Sequence, residues 1–96
     1  EPIVQNEVSN NISSTKIYPN PVIQNASISF ELNSSSIVNI SIYNLNGSLV
    51  KTLYNNVRMG KGNNSSQVNA SELSMGTYLV VVKAGKEQEV VKFIKY

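Results

Sequence analysis

Ala26-Ser27-Ile28-Ser29-Phe30-Glu31-Leu32 alternates apolar and polar residues without a break. A period of two puts Ala26, Ile28, Phe30 and Leu32 on one face of a half-buried strand. The same pattern runs outward along the chain. After a turn at Asn33–Ser36, Val38, Ile40 and Ile42 alternate with Asn39, Ser41 and Tyr43. Asn44-Leu45-Asn46-Gly47 reads as a hairpin turn, because Asn and Gly both tolerate positive φ. Its return strand runs from Ser48 to Tyr54, with Val50 as the core residue. Residues 55–62, carrying Gly60 and Gly62, read as a loop, and Asn63–Asn69 as a polar edge strand with Val68 inward. Ser71-Glu72-Leu73-Ser74 reads as one helical turn. Thr77-Tyr78-Leu79-Val80-Val81-Val82-Lys83 is the plainest strand, with Tyr78, Val80 and Val82 on one face. Ala84-Gly85-Lys86 turns the chain into a last strand, Gln88–Tyr96. Val91 and Phe93 face inward there, since a buried mid-strand Lys92 would be costly.

The sum is about seven short strands, with turn signals roughly every 8–12 residues and no sustained helical period. The expected fold is all-β, an antiparallel immunoglobulin-like β-sandwich of about seven strands. The chain has no Cys and no Trp, so the Cys–Trp–Cys core of antibody domains is absent.

Composition narrows the chemistry. The 96 residues suit one domain. There is no Cys, His or Asp, which removes disulfides, thiolate and imidazole metal sites, and Ser-His or Cys-His nucleophiles. Six Glu are the only carboxylate side chains, a poor supply for a catalytic pair or a calcium cage. Asn and Ser number 14 each, which favours turns and strand edges. The net charge is +2, and no basic run is dense enough for nucleic acid. The longest apolar run, Tyr78–Val82, is far short of the roughly 20 residues of a transmembrane helix. No enzyme activity and no cofactor are expected.

Residues 1–15 mix Glu1, Glu7 and small polar residues with isolated aliphatics and read as a flexible linker; residues 16–96 read as the folded domain. The sequence opens at Glu1 without a signal peptide, as expected of a piece of a longer chain. Pro19 and Pro21 flank Asn20, fixing φ twice and removing two N–H donors. That makes a rigid opening to the fold or a recognition element. Gly76-Thr77-Tyr78 carries the same two readings, with Tyr78 burying its ring and partnering its hydroxyl. Lys92-Phe93-Ile94-Lys95-Tyr96 is strand-patterned to the last residue. It reads either as an ordinary last strand or as an edge that a partner could pair with. Glu87 and Glu89 share a face beside Lys86 and Lys92 and read as solvated surface. Eight Asn-x-Ser triplets follow from the abundance of both residues. Tyr43, Tyr54 and Tyr96 could bind sugar only if they line up on one face; cross-strand packing is the simpler reading.

In this order and spacing, Tyr18-Pro19-Asn20-Pro21-Val22, Val38 to Gly47 with Val50, Leu73-Ser74-Met75-Gly76-Thr77-Tyr78 with Val80, and Lys92-Phe93-Ile94-Lys95 resemble a known family. It is the C-terminal sorting domain of the type IX (Por) secretion system, in its type A form. Pro19, Pro21, Gly76, Tyr78, Lys92 and Lys95 match its shared positions, and Tyr96 departs from members that end on Lys or Arg. The resemblance implies a secretion signal of Gram-negative bacteria, carried by an N-terminally fused cargo that reaches the periplasm by a separate signal. Its partners would be the outer-membrane translocon and its sortase and shuttle proteins, and its destination the cell surface or the medium. Sortase cleavage would fall within residues 1–15. The competing reading is a carbohydrate-binding or structural sandwich appended to a secreted hydrolase.

Overall fold

The computed structural model describes residues 11–96. Seven strands form in chain order: β1 (Ile12–Tyr18), β2 (Asn25–Leu32), β3 (Ser36–Asn44), β4 (Leu49–Met59), β5 (Gly62–Asn69), β6 (Gly76–Ala84) and β7 (Glu87–Lys95). They make two antiparallel sheets, β1-β2-β5 and β4-β3-β6-β7. This is an immunoglobulin-like sandwich in which the fourth strand pairs with the third.

The period-two residues set the core. Ala26, Ile28, Phe30 and Leu32 of β2 face Val38, Ile40 and Ile42 of β3, with Tyr78, Val80 and Val82 of β6, and all ten are buried. Burying each larger aliphatic or aromatic side chain contributes roughly 1.5–3 kcal/mol. β5 is the polar edge of its sheet, with Val68 inward as the pattern requires. The β6–β7 turn is the two-residue loop Gly85-Lys86, with Gly85 at φ 64.

Elsewhere the structure departs from the pattern. β1 starts at Ile12, within the stretch read as linker, because Ile12 is only 2% exposed and completes the core beside Leu32. Residues 1–10 of that stretch lie outside the described residues. In the β3–β4 turn only Gly47 has positive φ; its N–H bonds the Asn44 carbonyl at 3.0 Å, closing a turn over Leu45 and Asn46. Val50 is exposed, not core. Ile42 pairs with Lys51 and Tyr43 with Leu49, so Val50 is the extra residue of a bulge. Residues 55–59 are strand and not loop. Here Asn56 adopts φ 56, a conformation Asn tolerates, and donates its N–H to Asn39 Oδ1 at 2.8 Å. Three such register shifts let β4 follow β3 along its whole length. Residues 71–74 form a turn, begun by the Leu73 N–H bonding Ala70 O, and no helix.

Candidate recognition site

Chain direction and pairing give the sandwich two poles. At one, Asn11 bonds Asn33 and lies against Ser36 and Glu87, beside the end of β2 and the starts of β3 and β7. The segment before Asn11 therefore enters here. At the other pole lie the end of β1, the start of β6 and the end of β7.

The singled-out motifs meet at this second pole. From Tyr18, the last residue of β1, the chain passes through Pro19-Asn20-Pro21-Val22, with both X–Pro bonds cis, and lies along the outer edge of β7. The Asn20 side chain donates from Nδ2 to Lys92 O at 3.3 Å and accepts at Oδ1 from the Ile94 N–H at 3.0 Å. Two residues on, the Val22 N–H bonds Ile94 O at 2.7 Å and Val22 O accepts from Tyr96 N at 2.9 Å. Gly76 pairs with Lys95 across the β6–β7 ladder. Tyr78 pairs with Phe93, their ring centroids 5.5 Å apart at 21°. The Tyr78 hydroxyl donates to Ser74 O at 2.7 Å, the partner its burial requires.

The seven candidate residues divide by exposure. Pro19, Asn20, Pro21 and Lys92 are exposed, Gly76 is half-buried, and Tyr78 and Lys95 are buried. Lys95 follows Val91 and Phe93 on the inward face, 7% exposed, and its Nζ donates to the main-chain oxygen of Tyr96 at 2.9 Å. Its alkyl stem closes the core while its ammonium is satisfied locally. The β7 edge at residues 92–96 is already paired with Asn20 and Val22, so it is not a free edge for strand addition.

Glu87 and Glu89 are not the solvated pair the sequence suggests. Both sit on the inward-pointing register of β7 and are half-buried. Glu87 accepts from the Asn11 N–H, and Glu89 from the N–H and hydroxyl of Thr15. Ser14 at φ 58 and the bulge between Ser13 and Lys16 turn Thr15 toward β7. The carboxylates thus hold one half of the β1–β7 seam and the Asn20–Val22 segment the other. Sequence spacing could not reveal this, because it depends on which strands become neighbours.

The tyrosines do not form a platform. Tyr54 pairs opposite Ile40 and packs against the core, whereas Tyr43 lies on the outer face beside a shallow depression of about 290 Å³ with Leu79, Val81 and Val90. Among the described residues, no group of three or more His, Cys, Asp or Glu could hold a metal ion. No helix of the described residues is long and apolar enough to cross a membrane. By contrast, Tyr18, Ile23, Leu45, Leu49, Met75 and Tyr96 are each at least half exposed; Tyr18 and Leu49 are strand ends at the motif pole, and the other four lie in the segments next to strand ends there.

The motif residues thus lie at one end of the sandwich and Asn11, the first described residue, at the other. Residues 16–96 match the model of the secretion system C-terminal sorting domain, and the chain belongs to that family. It is a C-terminal sorting signal for type IX secretion, a route to the cell surface or the medium, and the family is one of signals and not of enzymes. The chain has no match among curated proteins.

Proposed function

We propose that this domain, of the type A form, is the removable export tag of a cargo protein fused ahead of it. The cargo reaches the periplasm by its own signal. The outer-membrane translocon and its shuttle proteins then bind the motif pole, and a surface sortase cuts the chain ahead of Ile12. The observation that carries this reading is the gathering of the motifs and the half-exposed apolar side chains at the pole remote from Asn11. A cargo attached before Asn11 leaves that pole open. Pro19, Asn20, Pro21, Gly76, Tyr78, Lys92 and Lys95 serve it in two ways. Tyr78, Gly76 and Lys95 shape the pole from within, and the other four present its surface.

The test is a localisation assay. Residues 1–96 are fused behind a periplasm-directed fluorescent reporter, in a host with type IX machinery and in one lacking the translocon. The expected result is reporter on the surface or in the medium only where the translocon is present. Reporter held in the periplasm of both strains refutes the proposal.

A further inference from the structure

We infer that Asn20 is a positioning residue whose carboxamide stands in for a peptide group, holding the last strand in the form that is read. The inference rests on the sorting reading above. In a parallel pair, one residue donates its N–H to the carbonyl before its partner and accepts from the N–H after it. Val22 does this around Lys95 with its main chain, bonding Ile94 O and Tyr96 N. Asn20 makes the same pair of bonds around Phe93 with its side chain, to Lys92 O and Ile94 N. The two rungs step by two residues on both segments, 20 to 22 and 93 to 95. Asn20 therefore continues a ladder that the main chain of the segment begins.

Pro19 and Pro21 have no N–H, and they fall at the positions of this ladder that do not bond β7, so they are accommodated beside the Asn20 and Val22 rungs. A carboxamide carries the donor and the acceptor that a peptide group has, on one planar unit. Of the side chains of similar size, Asp, Ser and Leu lack one or both functions in that geometry. The consequence is on the outer face. With its edge held at Lys92 and Ile94, β7 presents the exposed Lys92, Ile94 and Tyr96 side chains at fixed positions next to the exposed Pro19-Asn20-Pro21 segment bonded to it. The surface that is read is then composite, built from both ends of the domain, and an isolated C-terminal peptide lacks it.

The test compares wild type, N20A and N20D. Amide hydrogen exchange is measured on the 96-residue chain, and export on the reporter fusion. Asn20 is exposed and the Val22 bonds do not depend on its side chain, so the core amides of Val80 and Val82 should exchange as in wild type. The Ile94 amide should exchange about tenfold faster in N20A, the effect of one lost hydrogen bond, and close to wild type in N20D, which keeps the acceptor. Export should fall several-fold in N20A, and less in N20D. An unchanged Ile94 amide in N20A overturns the rung. A faster amide with full export overturns the positioning role. Failure of the wild-type fusion itself to leave the cell overturns the sorting reading and this inference with it, even where the exchange data show the rung.

Discussion

Replacing Phe93 by Ala tests how the last strand is held. Phe93 is 1% exposed, and its ring stacks on Tyr78 with centroids 5.5 Å apart. Truncating a buried Phe to Ala costs about 3–5 kcal/mol through lost transfer energy and the cavity left behind. Of this, the ring contact accounts for about 0.5–1.5 kcal/mol. A domain of this size has a total stability of about 5–10 kcal/mol, so F93A removes about a third of it or more. Leu keeps most of the volume, and F93L should cost about 1.5 kcal/mol. Urea unfolding followed by far-UV circular dichroism reads both, at a slope of about 1 kcal/mol/M. The midpoint should fall by about 3 M or more in F93A and about 1.5 M in F93L, with unchanged slope. A cycle with Y78L should return a coupling of about 0.5–1.5 kcal/mol. A shift below about 1 M in F93A would mean that β7 is not packed inside the sandwich. A coupling of zero would mean that the stacked geometry adds nothing to burial.

Other perturbations address separate parts of the fold. E89A removes the acceptor for Thr15 N–H and Oγ1, and should cost about 1 kcal/mol at this half-exposed site, whereas E89Q keeps an acceptor and should cost less; equal unfolding midpoints for E89A and wild type would refute the seam contact. Ser66 Oγ is buried and has no hydrogen-bond partner among the described residues, so S66A should be neutral or stabilising by up to about 1 kcal/mol, and a clear loss of thermal stability would refute this. G85A forces a Cβ into φ 64 at the β6–β7 turn and should cost about 1–2 kcal/mol; a neutral result in denaturant titration would mean the turn relaxes to another type.

The inward faces of β2, β3 and β6 were legible because each is a central or regular strand, where period two alone decides which side is buried. The return strand was not. Its bulges at Val50, Leu53 and the Asn55–Asn56 step shift the phase three times, and a period-two reading placed Val50 inside when it is the residue the bulge ejects. Glu87 and Glu89 failed for a different reason. Charge argues for solvent, but the two carboxylates meet the main-chain N–H groups of Asn11 and Thr15, which only the tertiary arrangement brings near. For the candidate site, the motifs were visible and their meeting was not. Pro19-Asn20-Pro21 and Lys92–Tyr96 stand at opposite ends of the folded domain in sequence. Nothing in local pattern shows that an Asn carboxamide would complete the ladder of a strand over seventy residues away, |i−j| being 72 and 74 for its two bonds.

Where the domain begins bears directly on the cleavage proposed above. The family match starts at residue 16, but the first strand among the described residues starts at Ile12. A chain beginning at Asn11 keeps every described contact: Ile12 in the core, Asn11 against Asn33 and Glu87, and Thr15 on Glu89. A chain beginning at Lys16 loses all of them and leaves Glu87 without Asn11 and Glu89 without Thr15. Lost burial of Ile12 alone is worth about 1.5–3 kcal/mol. The hydrogen bonds to the two carboxylates add about 1 kcal/mol or more together. At about 4–8 °C per kcal/mol for a domain of this size, the chain from Lys16 should melt at least about 10 °C below the chain from Asn11. The chain from Asn11 should melt with the 96-residue chain. Equal melting of the two truncations would return the boundary to residue 16 and move the permitted cleavage region with it. If the expected difference is found, a cut ahead of Ile12 would leave β1 whole, and a cut after Thr15 would leave only its last three residues, Lys16–Tyr18, paired with β2.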